Sequence, residues 1–119
     1  MLRKAIFRYV EKQYGTKPEY LWKKYPTDAV LRHDRNHKWY AVIMNVSREK
    51  LGLEGKETVD IINIKGTPEW IGVFVQADGF LPGYHMNKKH WMTILLDGTV
   101  SEGRILDFID MSYDLIDEK

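Results

Sequence analysis

Apolar side chains return every four residues at the start of the chain. Leu2, Ile6, Val10 and Tyr14 fall on one helical face, and most residues between them are charged. This predicts a helix over Leu2–Gln13, stopped by Gly15 with Pro18 just beyond. The next segment, PEYLWKKYP, is bracketed by Pro18 and Pro26 and reads as a packed connector or a short helix. The period then changes. Ala29–His33 reads as a strand, Asp34–His37 (DRNH) as a turn, and Lys38–Val46 as a second strand, so the pair forms a hairpin. The second strand is apolar on both faces, as expected for a strand that sits centrally or under a helix. Ser47 can cap the short turn SREKLG, and Thr58–Ile64 gives a third strand.

A second helix starts with Thr67 as cap, Pro68 in the first turn and Glu69 at the positive end of the dipole, and it should end near Asp78-Gly79. Tyr84–Met86 and Trp91–Leu96 read as strands around the tip NKKH, a second hairpin. Asp97-Gly98 is a turn. Thr99-x-x-Glu102 matches a capping box, with Ser101 as a rival cap. The last helix runs to about Asp117, lined by Ile105, Phe108, Ile109, Ser112, Tyr113 and Ile116. The order α-β(3)-α-β(2)-α gives an α+β class, an antiparallel sheet packed against helices, in one domain over residues 1–119. No internal repeat appears.

Composition narrows the chemistry. The chain has no cysteine, so disulfides, thiolate metal sites and cysteine nucleophiles are excluded. Its apolar runs are too short for a transmembrane helix, and the basic N-terminus lacks the continuous apolar centre of a secretory signal, so the expected location is cytoplasmic, with no membrane partner. The net charge of +1 is unevenly spread. Residues 1–50 hold 12 Lys/Arg and 5 Asp/Glu, whereas residues 51–119 hold 6 and 12. Such asymmetry marks a polyanion-binding face unless the two halves pair in the fold.

The histidine pairs His33/His37 and His85/His90 straddle turns and bring no fixed third ligand, so no metal is expected. The G-x-S-x-G, H-E-x-x-H and phosphate-loop patterns are absent, and no constellation of catalytic roles can be assigned. The chain therefore reads as non-catalytic and without cofactor. Hairpin tips suit phosphate contact, because long cationic side chains reach out there without burial. The candidate nucleic-acid contacts are Arg32, Arg35, Lys38 and Trp39 on the first hairpin, Arg48 and Lys50 after its second strand, and Asn87, Lys88, Lys89 and His90 on the second. Trp22, Trp39, Trp70 and Trp91 are core residues first and base-stacking candidates second, with Trp39 the least committed to the core.

The stretches YLWKKYPTDAVLRHDRNHKWYAVIMNVSREKLGL, VDIINIK, GFLPGYHMNKKHWMTILLDG and MSYDLI resemble the MmcQ/YjbR family in order and spacing, from about Tyr20 to Ile116. The resemblance implies a CyaY/secretion-chaperone-like fold. It also implies a double-wing DNA-binding role, with Arg32, His33, Arg35, Lys38 and Trp39 on wing one and Asn87, Lys88, Lys89 and His90 on wing two. The expected partner is double-stranded DNA, held weakly and mainly through phosphates. The alternative is a protein or peptide partner docked on a sheet edge or apolar groove.

Overall fold

Helix α1 (Leu2–Tyr14) buries Ile6 and Val10 on the face that the four-residue period picks out. It ends where Gly15 takes a left-handed φ of 70° and donates its N–H back to Glu11. This computed structural model describes residues 2–117. The five strands are β1 (Ala29–Arg32), β2 (Trp39–Ser47), β3 (Thr58–Lys65), β4 (Phe80–Pro82) and β5 (Trp91–Leu95). They form one antiparallel sheet in the order β1-β2-β3-β5-β4. Ser47 caps a 3-10 turn at Arg48–Leu51. Helix α2 (Pro68–Phe74) is capped by Thr67, and α3 (Glu102–Leu115) by Ser101, whose hydroxyl accepts from the Arg104 N–H. Of the two rival caps for α3, the serine is used.

The helices gather on one face of the sheet. Ile6 and Val10 of α1, Ile71 of α2, and Ile105, Phe108 and Ile109 of α3 pack with Ile43, Ile62, Ile64, Met92 and Ile94 in one buried cluster. Among the described residues the other face carries no α-helix. It is apolar too: Val46, Val59, Ile61 and Leu95 form a second cluster under Leu51, Leu53 and Tyr84. This explains why β2 reads as apolar on both faces. The cover on that open side comes from irregular chain, the connector 18–28, the 48–57 segment and the 83–90 loop.

Two sequence expectations need correction. Tyr84–Met86 is not a strand. The partner of β5 is Phe80–Pro82, in register Phe80↔Ile94 and Pro82↔Met92. Pro82 has no N–H to extend that ladder, and the chain leaves the sheet at Gly83. A Cβ at Gly83 would lie 2.9 Å from the Trp91 Cβ, so this close crossing requires glycine. Helix α2 also ends four residues early, at Phe74, and turns carry the chain to Gly79 (φ 90°). The connector 18–28 is not helical. Its backbone touches the sheet where Glu19 exchanges both hydrogen bonds with Val30, which covers the outer edge of β1.

Candidate functional site

The first hairpin turn, residues 33–38, is braced against the end of α3. His33 is buried and stacks on Tyr113 with ring centroids 4.0 Å apart. Its Nδ1 accepts the Arg35 N–H at 3.1 Å, and its Nε2 lies 3.5 Å from an Asp117 oxygen. The Tyr113 hydroxyl donates to Asp34, Arg35 pairs with Asp117, and the Asn36 amide donates to the Ile116 carbonyl at 2.6 Å. Arg32 pairs with Glu19 at 3.0 Å, and its guanidinium sits 5.8 Å from the Trp39 ring centroid. The acidic end of the last helix therefore lies beside this hairpin, and carboxylates answer both arginines.

An aromatic stack backs the brace. Tyr14 stacks on Tyr113 at 3.7 Å, and Tyr40 meets both rings edge-on. Tyr9 and Tyr14 both donate to Asp110, and Tyr40 donates to Thr16 Oγ1 at 2.8 Å. The Tyr9 phenol is pushed up to about 12, chiefly by its bond to Asp110 and then by burial. Tyr113 is also pushed up to about 12, by burial first and then by its bond to Asp34. Burial drives Tyr14 and Tyr40 higher still. These are neutral phenols held as donors.

The 83–90 loop behaves differently. It does not project as a hairpin tip but folds back as a flap over the open face. Asn63, fully buried in mid-β3, holds it: the Asn63 amide donates to the Tyr84 carbonyl at 3.1 Å, and its oxygen accepts the Tyr84 N–H at 3.2 Å. Thr93 Oγ1 also accepts that N–H and donates to the Asn63 oxygen. His85 has a left-handed φ of 57° and stacks on Tyr84 at 4.0 Å. The Lys88 ammonium donates to the Gly83 carbonyl at 3.0 Å, and the Asn87 side chain accepts the Lys89 N–H. His90 is exposed.

Between flap and connector lies a cleft of roughly 260 Å³, floored by Val42 and Met44 of β2. Trp22, Tyr25 and Trp39 line one side and His85 and Met86 the other. Trp22 and Trp39 meet edge to face at 6.0 Å. Asp28 sits at its base, 3% exposed, with Oδ1 accepting the Asn45 N–H at 3.1 Å. Burial pushes the Asp28 carboxyl above its ordinary value, against the lowering effect of that hydrogen bond and of Arg3. The cleft continues past Tyr84 and His85 to Ser47 and Lys50, and from Lys50 to Lys88. Lys24 stands 5.9 Å from the Tyr25 ring. At the other end of the sheet Lys65 lies 5.0 Å over Trp91. Burial first and the Lys38 charge second lower the Lys65 ammonium.

The predicted contacts thus divide. Arg32 and Arg35 are paired with acids, and Arg48 reaches Glu57 at 3.6 Å, Asp97 at 4.0 Å and the Glu54 carbonyl at 2.6 Å. Trp39, Lys50 and Lys88 border the cleft system, and Asn87, Lys89 and His90 are exposed on the flap. Among the described residues Lys50, Lys88 and Lys89 make no ion pair with a carboxylate. Sequence reasoning missed Asp28, Asn63 and Lys65. An asparagine in the middle of the apolar run TVDIINI was the signal for the second of these. Among the described residues no group of three or more His, Asp or Glu side chains is placed to hold a metal, and no helix is long and apolar enough to cross a membrane.

A family model described as YjbR matches residues 11–115. The chain belongs to the YjbR family. YyaQ of Bacillus subtilis, described as uncharacterized, is 48% identical over 115 residues, covering 97% of this chain and 98% of that protein. A crystal structure of a Pseudomonas syringae protein is 43% identical and superposes with a TM-score of 0.93 over 97% of this chain and 98% of that one. A Deinococcus radiodurans protein shares the fold at a TM-score of 0.70 and 25% identity, covering 94% of this chain and 76% of its own. This YjbR-family chain is therefore a three-helix, five-stranded α+β domain, with one sheet face free of α-helix among the described residues.

Proposed function

We propose that this YjbR protein is a non-catalytic nucleic-acid-binding module that takes single-stranded DNA or RNA on the open face of its sheet. The observation that carries the reading is that an aromatic-lined cleft adjoins, through hollows that share His85, Tyr84 and Lys50, two lysines that have no acidic partner among the described residues, Lys50 and Lys88, with Lys89 exposed next along the flap. Single strands are gripped in this way: cations track the backbone while bases stack on aromatic rings, each stacked base contributing about 1–3 kcal/mol. A duplex held between two wings has less support, because the first turn is braced by acids and the second loop lies on the sheet. Three or four phosphate contacts correspond to micromolar-or-weaker binding at physiological salt.

The test is fluorescence anisotropy with a labelled single strand and a matched duplex at two salt concentrations. The single strand should bind more tightly, with a log–log salt slope of about −2 to −3. No binding of either at ~50 mM salt with tens of micromolar protein would end the nucleic-acid reading.

One observation favours a second reading. Tyr20, Leu21 and Tyr25 stand about half exposed on the connector, an apolar patch that a protein partner could cover. Salt-insensitive recovery of one stoichiometric protein, with no nucleic acid bound, would decide for it.

A further inference from the structure

Asp28 gives the cleft a chemical preference that a generic stacking groove lacks. It faces the open side because it lies opposite Met44, one step before the Ala29↔Ile43 pair. Its carboxyl is almost wholly buried yet takes one hydrogen bond from the protein among the described residues, the Asn45 N–H on Oδ1. A carboxylate offers about four acceptor positions, so most of its capacity is left for whatever fills the cleft that Asp28 lines.

Charge restricts what that can be. A cationic ligand would satisfy Asp28 but must pass Lys50 on the lining and Lys24 beside the Tyr25 ring. An anionic group would suit the lysines but be repelled at the base. The ligand that fits both is flat, donates hydrogen bonds from an uncharged edge and carries its negative charge at the other end. A nucleotide has this layout, with its base inward and phosphate outward. Among the common bases guanine presents two parallel N–H donors, N1–H and the 2-amino group, on its Watson–Crick edge. A carboxylate accepts such a pair in the bidentate geometry it uses with arginine. Adenine and thymine do not offer two adjacent donors.

We propose that the cleft between Trp22, Tyr25, Trp39 and His85 is a guanine pocket, with Asp28 accepting from the base edge and Lys50 and Lys24 meeting the adjoining phosphates. This rests on the nucleic-acid reading above and adds a base preference to it. Sites that pair a buried polar group with a ligand donor reject analogues lacking that donor, because the site is left with an unpaired group.

The experiment measures anisotropy of three labelled eight-residue strands: all-thymidine, thymidine with one central guanine, and thymidine with one central adenine. The guanine strand should bind on the order of tenfold more tightly than the other two. Asp28→Asn removes the second acceptor function while keeping an oxygen for the Asn45 N–H. In that variant the three strands should bind alike. Equal affinities in the unmodified protein, or a guanine preference that survives Asp28→Asn, would overturn the pocket. A fourth strand with hypoxanthine, which lacks the 2-amino group, should lose most of the preference in the unmodified protein. It keeps the test decisive if the variant does not fold, and an undiminished preference would again count against the pocket. Failure of all strands to bind would instead remove the underlying nucleic-acid reading.

Discussion

The first hairpin turn and the 83–90 flap look alike in sequence, each a short polar run with histidines and cations between strands. The fold uses them in opposite ways. The turn gives its polar groups to α3: Asp34, Arg35 and Asn36 each engage a residue between Tyr113 and Asp117. The flap takes its anchor from backbone contacts to Asn63 and Thr93 and leaves Lys88 beside a cleft and Lys89 exposed. A cation on a turn is thus a weak indicator of binding until its acidic neighbours are known. The decisive neighbours lie some eighty residues away along the chain.

That difference should be separable by substitution. The largest effect is expected for Tyr113→Ala, which removes the ring between Tyr14 and His33 and the donor to Asp34. It should cost about 3 kcal/mol in urea unfolding, while the folded fraction binds a single strand as before. A binding loss as large as the stability loss would mean that brace and binding face are one unit.

Asn63→Ala should cost about 2 kcal/mol by leaving the Tyr84 carbonyl unpaired and the Tyr84 N–H held by Thr93 alone. Here binding should fall too, because the flap forms one wall of the cleft. Faster amide exchange at Tyr84, without change in α3, would locate the damage. Normal protection of that amide would show that the flap is held by other means.

Replacing Lys50, Lys88 and Lys89 together by Ala should leave stability within about 0.5 kcal/mol per site. The salt slope should flatten by about 2, at roughly 0.7 per single-strand phosphate contact. The matching pair Arg32→Ala and Arg35→Ala should leave the slope as it is.

The smallest effect is an alkaline one. Tyr9 and Tyr113 are raised in the folded state to about 12 from the ordinary phenol value of 10.0. The folded state holds the protonated phenols, so their contribution is full below pH ~10 and is lost as pH rises to ~12. Circular dichroism should show stability falling across that window, less steeply for Tyr9→Phe. A flat profile would place the tyrosines outside the brace.

Periodicity was enough to read α1, β1–β3, the Thr67 cap and the inner face of α3, because each buries one face against the same core. The flap was not legible in that way. The alternation at Tyr84–Met86 mimics a strand, yet Pro82 and Gly83 take the chain off the ladder first, and Tyr84 is held by a side chain from β3. The lysines were visible as candidates, but Asp28 was not. Its significance comes from burial opposite Met44 under the tryptophans, a long-range arrangement that local spacing does not encode.

Proton–nitrogen correlation spectra recorded while a single-stranded oligonucleotide is added test the central claim most directly. Shifts should concentrate on the Trp22 and Trp39 indoles and on amides of residues 84–89, with residues 33–37 and the end of α3 little changed. Shifts confined to the first turn and α3, with the cleft silent, would contradict the account.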